Sequence, residues 1–369
     1  MISQADVEKL RAICAPEPVV LSLYLGVPLD PAEARELPAR ADDLIASAAG
    51  AGAYQLPDAD RDEVRELVAA RGPQWLGHTV ALFACGELGL LEGLPLPCRV
   101  AERAVLAMRP HVRPLLAALQ RRPAYRVAVI DRRHGWLLAI EADSVESVEL
   151  PAADGVRSPG FGGWYGLDSY RVQHRVTQLA RHHYRDVAAI LGRDAQAGDH
   201  RPLVLAGQPG AIKQLLALLP ERLRQRYAGS FAADPHALTA ARVRELADPV
   251  VAGWAARREQ RLAAEVTGAA QRTDMVAGLP ACLAAVNAGA VGMLLIPDDG
   301  LIPGFVCGRC GAVSVSGEDC PDWGAAATPV PDLLEEMAAR VLDDNGQVVA
   351  VQEQPWAVAA RLRFPVASG

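Results

Sequence analysis

The sequence predicts an α/β protein of three domains. The middle one is a mixed sheet with a glycine-rich loop on a long helix, and the last is an α/β/α sandwich. Three observations carry this. At 369 residues the chain exceeds what one ordinary core organises. Short apolar runs of strand length alternate with amphipathic helical stretches along most of it. Charge is also uneven: residues 1–119 hold 11 basic and 16 acidic side chains, residues 120–250 hold 18 and 14, and residues 251–369 hold 8 and 14. The expected domains are 1–119, 120–249 and 250–369. The basic middle third is the candidate contact with an acidic polymer, although the whole chain carries −7.

Composition narrows the class. A hydrophobic content of 51% with 22% charged residues is globular and not disordered. Lys9 and Lys213 are the only lysines, so nearly all cationic charge is arginine, as a GC-rich coding sequence gives. No run of about 18 apolar residues occurs, so no membrane-spanning helix is expected. The start, Met1 to Asp6, lacks the basic and then apolar character of a signal peptide. Seven scattered cysteines argue against a disulfide framework and for a cytoplasmic protein.

In the first domain a helix is expected over 5–14, and an apolar strand over 19–25. Charged helical stretches cover 32–49 and 60–70, and a strand covers 79–85. Glu87 to Leu90 turns into a third strand. Residues 99–119 read as partly helical, interrupted by Pro110 and Pro114. Cys14, Cys85 and Cys98 are isolated and read as packing residues.

The middle domain opens with a hairpin, strand 125–130, polar turn 131–135 and strand 136–141, and a third strand spans 145–150. Then come Gly160, Phe161, Gly162, Gly163, Trp164, Tyr165 and Gly166, with four glycines in seven residues. Asp168 stands where a helix N-cap belongs. Val172, Val176, Leu179, Val187 and Ile190 keep a helical period on one face, and Arg171, Arg175, Gln178, His182 and Arg185 lie on the other. His183 falls on the apolar face and reads as a satisfied core histidine. Arg121, Arg122, Arg126, Arg132 and Arg133 form a second basic cluster around the hairpin. A strand at 203–207 ends in glycine, and helices at 211–219 and 221–227 follow around Pro220.

A charged helix is expected over 250–270, with Arg257, Arg258 and Arg261 solvated and offset by Glu259 and Glu265. Helix 282–288, strand 292–296, helix 331–342 and strand 347–351 give the last domain its sandwich. Its insertion carries Cys307-Gly-Arg-Cys310 and then Cys320-Pro321-Asp322-Trp323. That looks like a zinc knuckle of the form Cys-x-x-Cys…Cys-Pro-x-Cys with Trp323 at the fourth ligand position. Two readings stand: three thiolates with Asp322 or a water holding zinc, or a degenerate site stabilised by packing of Trp323. No other cofactor is expected. The glycine run is no dinucleotide fingerprint, since no parallel βαβ pattern with an acidic residue about 20 positions on accompanies it. A P-loop lysine and a His-Glu-x-x-His motif are also missing from the sequence.

Gly162-Gly163 followed by a helix with Arg171, Arg175, His182, Tyr184, Arg185 and Val187 resembles the archaeo-eukaryotic class-1 peptide release factors and their Pelota relatives, in particular the bacterial members of that superfamily. The strand at 203–207 and the segment 287–295 are similar to it too, and the resemblance spans roughly residues 120–360. In the family a glutamine after Gly-Gly positions a water against the ester joining peptide to transfer RNA. Here that position is Trp164, which has one N–H donor and no acceptor. Gln173, the nearest glutamine, falls inside the expected helix. The resemblance therefore implies a ribosome-associated translation factor that binds the ribosomal A site in hibernation or rescue without hydrolysis. Trp164 and Tyr165 would stack on RNA, with Arg171, Arg175, His182 and Arg185 on phosphates. A peptidyl-tRNA hydrolase using the loop residues Gly162, Gly163 and Trp164, or His174, is one alternative. A stress factor that binds proteins and not RNA is the other. The implied partners are ribosomal RNA and transfer RNA, with an accompanying elongation factor left open; neither membrane nor DNA is expected.

Overall fold

The computed structural model describes residues 2–13, 19–51, 54–141, 144–150, 166–196, 199–268, 274–317, 320, 323–352 and 357–365. The chain forms two compact units, one of residues 1–120 with 259–369 and one of residues 121–258.

Helix α1 (Gln4–Arg11) starts from a capping box: the Asp6 N–H donates to the Ser3 hydroxyl, and the Asp6 carboxylate accepts from the Ser3 N–H. Strands β1 (Val20–Gly26), β2 (Thr79–Cys85), β3 (Leu90–Leu96) and β4 (Arg103–Ala107) form an antiparallel sheet in the order β3-β2-β1-β4. Helices α2 (Leu37–Ala51) and α3 (Asp58–Arg71) cover one face, packing Ile45, Val64 and Val68 on Leu21, Leu23, Val80 and Leu82. The alternate residues Tyr24, Ala81 and Phe83 belong to a different cluster, with Cys282, Leu294, Leu334 and Met337 from the other end of the chain. Burial on both faces makes β1 and β2 continuous apolar runs and unites the two chain ends in one unit. Part of 99–119 departs from the helical expectation. Val105 and Leu106 are buried where β4 pairs with β1, and α4 (Arg113–Arg121) begins only after Pro110.

The central unit holds β5 (Tyr125–Ile130), β6 (Gly135–Glu141), β7 (Ser144–Leu150), α5 (Gly166–Gln196), β8 (Leu203–Gly207), α6 (Pro209–Leu218), α7 (Glu221–Arg224) and β9 (Tyr227–Ala232). The sheet order is β7-β6-β5-β8-β9; the first three strands form an antiparallel meander, and β5, β8 and β9 run parallel. Tyr184, Val187 and Leu191 of α5, with Leu215 of α6, pack on Ala128, Ile130, Leu203 and Leu205. Val243, Ala247 and Val251 of α8 (Ala240–Thr267) pack on Val127, Val129, Val204 and Ala206. Helix 221–227 was expected; the helix stops at Arg224 and Tyr227 opens β9, because the β8 edge offers a parallel strand its backbone partners. Gly207 has φ +144, and a Cβ there would lie 2.2 Å from the Ile130 carbonyl oxygen, so β8 can end so close to β5 only with glycine.

In the last third, β10 (Met275–Ala277), β11 (Val291–Pro297), β15 (Gln347–Val351) and β16 (Ala359–Leu362) form a sheet in the order β10-β16-β11-β15, with β11 and β15 parallel. Helices α9 (Leu279–Asn287) and α10 (Leu333–Asp343) pack on its Leu294, Ile296 and Val348 face, and Leu262 and Val266 of α8 on its Leu295, Val349 and Val351 face. This is the expected α/β/α sandwich. Strands β12 (Gly304–Cys307), β13 (Val313–Ser314) and β14 (Ala327–Val330) make a separate small sheet that carries the cysteines.

Candidate nucleic-acid interface

Residues 180, 184, 187 and 191 recur at helical spacing and are buried, so this stripe of α5 fixes the helix on the sheet. The opposite side is exposed and holds Gln178, Arg181, His182, Arg185 and Arg193, with Asp186 its acidic member. Among the described residues Arg181, His182 and Arg185 form no ion pair. Arg181 and Arg185 are four residues apart, so two like charges share one turn. That arrangement costs a few tenths of a kcal/mol in a free helix, and an anionic partner would relieve it.

The expected residues divide accordingly. His182 and Arg185 lie on this face. Positions 171 and 175 belong to the backbone of α5, and a 4, 3, 4, 3 spacing through 178, 182 and 185 puts them on the same stripe; their side chains lie outside the described residues. Gly162, Gly163, Trp164 and Tyr165 lie outside the described residues as well. His183 is 2% exposed, as a core histidine should be, and its Nε2 has no hydrogen-bond partner among the described residues.

Arg126 does not belong to an open basic cluster. Its Nε pairs with the Asp199 carboxylate, which Arg201 also engages at 2.9 Å. Burial pushes the Asp199 carboxyl up, but hydrogen bonds from Arg201 and the charge of Arg126 outweigh it and leave the group below the ordinary range. Arg132 is exposed on the hairpin turn, where Asp131 Oδ1 accepts the N–H groups of Arg133 and His134 at 2.6 Å each. The turn lies beside α5. Burial raises the Tyr184 phenol above its usual value, and the charge of Arg132 opposes that rise. Arg257 and Arg258 are not simply solvated either: Arg257 donates to the Ala228 carbonyl, and Arg258 lies 6.0 Å above the Trp254 ring.

The thiols of Cys307, Cys310 and Cys320 converge within 4.8 Å of one another. Two backbone N–H groups, of Cys310 and Arg309, draw the Cys307 thiol down to about 7. Trp323 is 52% exposed, with the Arg309 guanidinium 4.0 Å from its ring centre, so it is a surface ring under a cation and not a core plug. Asp322 lies outside the described residues.

Sequence reasoning missed a buried polar group in the other unit. Asp332 Oδ2 accepts from Arg113 Nη2 at 2.7 Å and lies 3.0 Å from His111 Nε2. Glu335 Oε2 accepts the Arg113 N–H at 2.9 Å, and the guanidinium also reaches the Pro297 and Gly300 carbonyls. All four side chains are buried, so no substrate reaches them. The guanidinium on Asp332 also disfavours a cation among His111, Asp332 and Glu335. No local motif could have revealed a network whose members lie some 220 residues apart.

Residues 110–252 match the profile of the family described as bacterial archaeo-eukaryotic release factor family 10. The chain is thus release-factor-like over its central unit, as the sequence resemblance anticipated; the match does not extend over 253–360. The chain is 29% identical over 345 residues to uncharacterized proteins of Mycobacterium tuberculosis strains CDC 1551 and H37Rv, covering 90% of this chain and 86% of each of those. Among solved structures it is similar to the archaeal translation termination factor aRF1, at 16% identity, 98% and 99% coverage and a TM-score of 0.26. It is also similar to Saccharomyces cerevisiae Dom34, at 11% identity, 76% and 74% coverage and a TM-score of 0.40. A third likeness is to a structure of ribosome-bound archaeal Pelota and ABCE1, at 16% identity, 99% and 95% coverage and a TM-score of 0.41. No helix among the described residues is long and apolar enough to cross a membrane.

Proposed function

From the release-factor match over residues 110–252 we propose that this chain is a ribosome-associated translation factor whose central unit contacts RNA through the exposed face of α5. One observation carries the reading within that match: Arg181, His182 and Arg185 face outward with no carboxylate partner among the described residues, while Arg126 and Arg201 share the Asp199 carboxylate. Unpaired guanidinium groups along one helical stripe suit a phosphate backbone, which they contact without reading sequence. In this proposal the segment before α5 reaches toward the ribosomal A site, with Trp164 and Tyr165 stacking on bases. Trp164 has no acceptor with which to orient a water as the family glutamine does, which favours hibernation or rescue over ester hydrolysis.

Sedimentation with purified 70S ribosomes tests the reading. The protein should pellet with ribosomes at low salt, and log affinity should fall linearly with log salt as counterions are released. Persistence in the free fraction at low salt would overturn it. Release of peptide from peptidyl-tRNA would show that the factor is a hydrolase. Displacement by transfer RNA bound in the A site reports where it sits.

A further inference from the structure

Independently of the RNA reading, we propose that Cys307, Cys310 and Cys320 bind one zinc ion as three thiolates, with the fourth coordination position left to water. The described residues that flank Cys307 and Cys320 repeat one backbone hydrogen-bond pattern. In the first, the Cys307 N–H donates to Ala312 O at 2.8 Å and the Gly311 N–H to Cys307 O at 2.9 Å. In the second, the Cys320 N–H donates to Ala325 O at 2.9 Å and the Gly324 N–H to Cys320 O at 2.7 Å. Gly311 (φ +67) and Gly324 (φ +57) take the left-handed conformation at equivalent positions. Cys307 and Cys310 hold the first and fourth places of one pattern, Cys320 and Trp323 those of the other, and the three sulfurs converge.

Distances agree with a shared ion. Tetrahedral zinc with Zn–S bonds of about 2.3 Å sets its sulfurs about 3.8 Å apart. Cys310 Sγ and Cys320 Sγ are 3.6 Å apart, and all three sulfurs lie within 4.8 Å. That is too far for a disulfide bond of about 2.05 Å and close to the edge of a thiolate tetrahedron. The Arg309 N–H donates to Cys307 Sγ at 3.4 Å, as an N–H does toward a metal-bound thiolate that keeps spare lone pairs. Three thiolates and a divalent ion leave a net charge of −1. Arg309 stands beside the site, and Arg340 donates to the Cys310 carbonyl at 3.0 Å, so compensating cations are in place. Trp323 occupies the remaining ligand position and offers no lone pair to a metal, since its indole N–H only donates. The coordination sphere is therefore open at one point, unlike the closed four-ligand sphere of a structural site.

The test is metal analysis of the full chain purified under reducing, oxygen-free conditions, together with titration of the apoprotein with Co²⁺ as a spectroscopic stand-in. One zinc per chain, one equivalent of Co²⁺ giving thiolate-to-cobalt charge transfer, and loss of both in Cys310→Ser are expected. Trp323→Cys supplies a fourth thiolate and should keep unit stoichiometry with at least tenfold tighter binding. If Trp323→Cys bound one equivalent and the wild type none, the three-thiolate site would be refuted. A Cys310–Cys320 disulfide in place of metal would refute it too. Loss of binding in Asp322→Ala would overturn the claim that water fills the fourth position. Cobalt spectra of the wild type do not depend on whether any variant folds.

Discussion

The guanidinium of Arg113 stands 2.7 Å from the carboxylate of Asp332, 219 residues away along the chain, and neither side chain has measurable exposure. The pair ties the start of α4 to the start of α10, because Asp332 Oδ1 also accepts the Leu334 N–H as the N-cap of α10. Removing the acid leaves a buried cation whose other partners are the Pro297, Asp299 and Gly300 carbonyls. Asp332→Ala should therefore cost about 3–5 kcal/mol of unfolding free energy in urea. The double replacement Arg113→Met with Asp332→Leu should lose less than the single one, because it buries no unpaired charge.

Glu336, next along α10, gives a pH dependence. Burial pushes its carboxyl up to about 7 from an ordinary 4.5, Arg109 opposes the rise, and Glu335 and Asp332 add to it. The folded state thus holds a proton that the unfolded chain releases, and stability from this group is full below about 4.5 and lost as pH rises through about 7. Glu336→Gln should gain on the wild type across that interval by up to about 3 kcal/mol and show a constant difference on either side. Urea unfolding of both proteins from pH 4 to pH 8.5 measures it. A difference that does not change with pH would show that Glu336 keeps an ordinary carboxyl.

Two glycines of the central unit should respond in opposite directions. Gly207→Ala brings a methyl group to 2.2 Å from the Ile130 carbonyl at positive φ, so it should destabilise by more than about 1 kcal/mol. Gly210→Ala, inside α6 with nothing within 4 Å, should be neutral or stabilise by about 0.5–1 kcal/mol. Thermal unfolding of the two variants side by side makes the comparison.

Arginines of the central unit should separate by partner. Arg181→Ala and Arg185→Ala should leave the melting temperature unchanged and each lower the salt slope of ribosome binding by about 1. Arg126→Ala, which strips a partner from the partly buried Asp199, should lower stability and leave that slope unchanged. Equal slopes for all three variants would remove the assignment of α5 as the phosphate-contacting helix.

Much of the architecture was legible because strand and helix periods are local properties of the chain. The limits of β2, β5, β8 and β15 follow from apolar runs closed by glycine or polar turns, and the two faces of α5 follow from a 3.6-residue period. β9 was hidden, since Tyr227 to Ala232 becomes a strand only where β8 offers it an edge. β4 was hidden for the same reason beside β1. The three thiols could be named from their spacing, but their convergence on one point depends on one backbone hydrogen-bond pattern recurring 13 residues on.

The sequence by itself determined most of the strands and helices, which side of α5 is cationic, and that Trp164 follows Gly162-Gly163. Only the tertiary structure decided that the two ends of the chain form one unit, that Asp199 consumes Arg126, and that His111, Arg113, Asp332 and Glu335 meet. The physical reason is the range of the forces involved. Backbone periodicity and turn chemistry act within a few residues, whereas burial and charge pairing reward whichever distant groups the fold brings within a few ångströms.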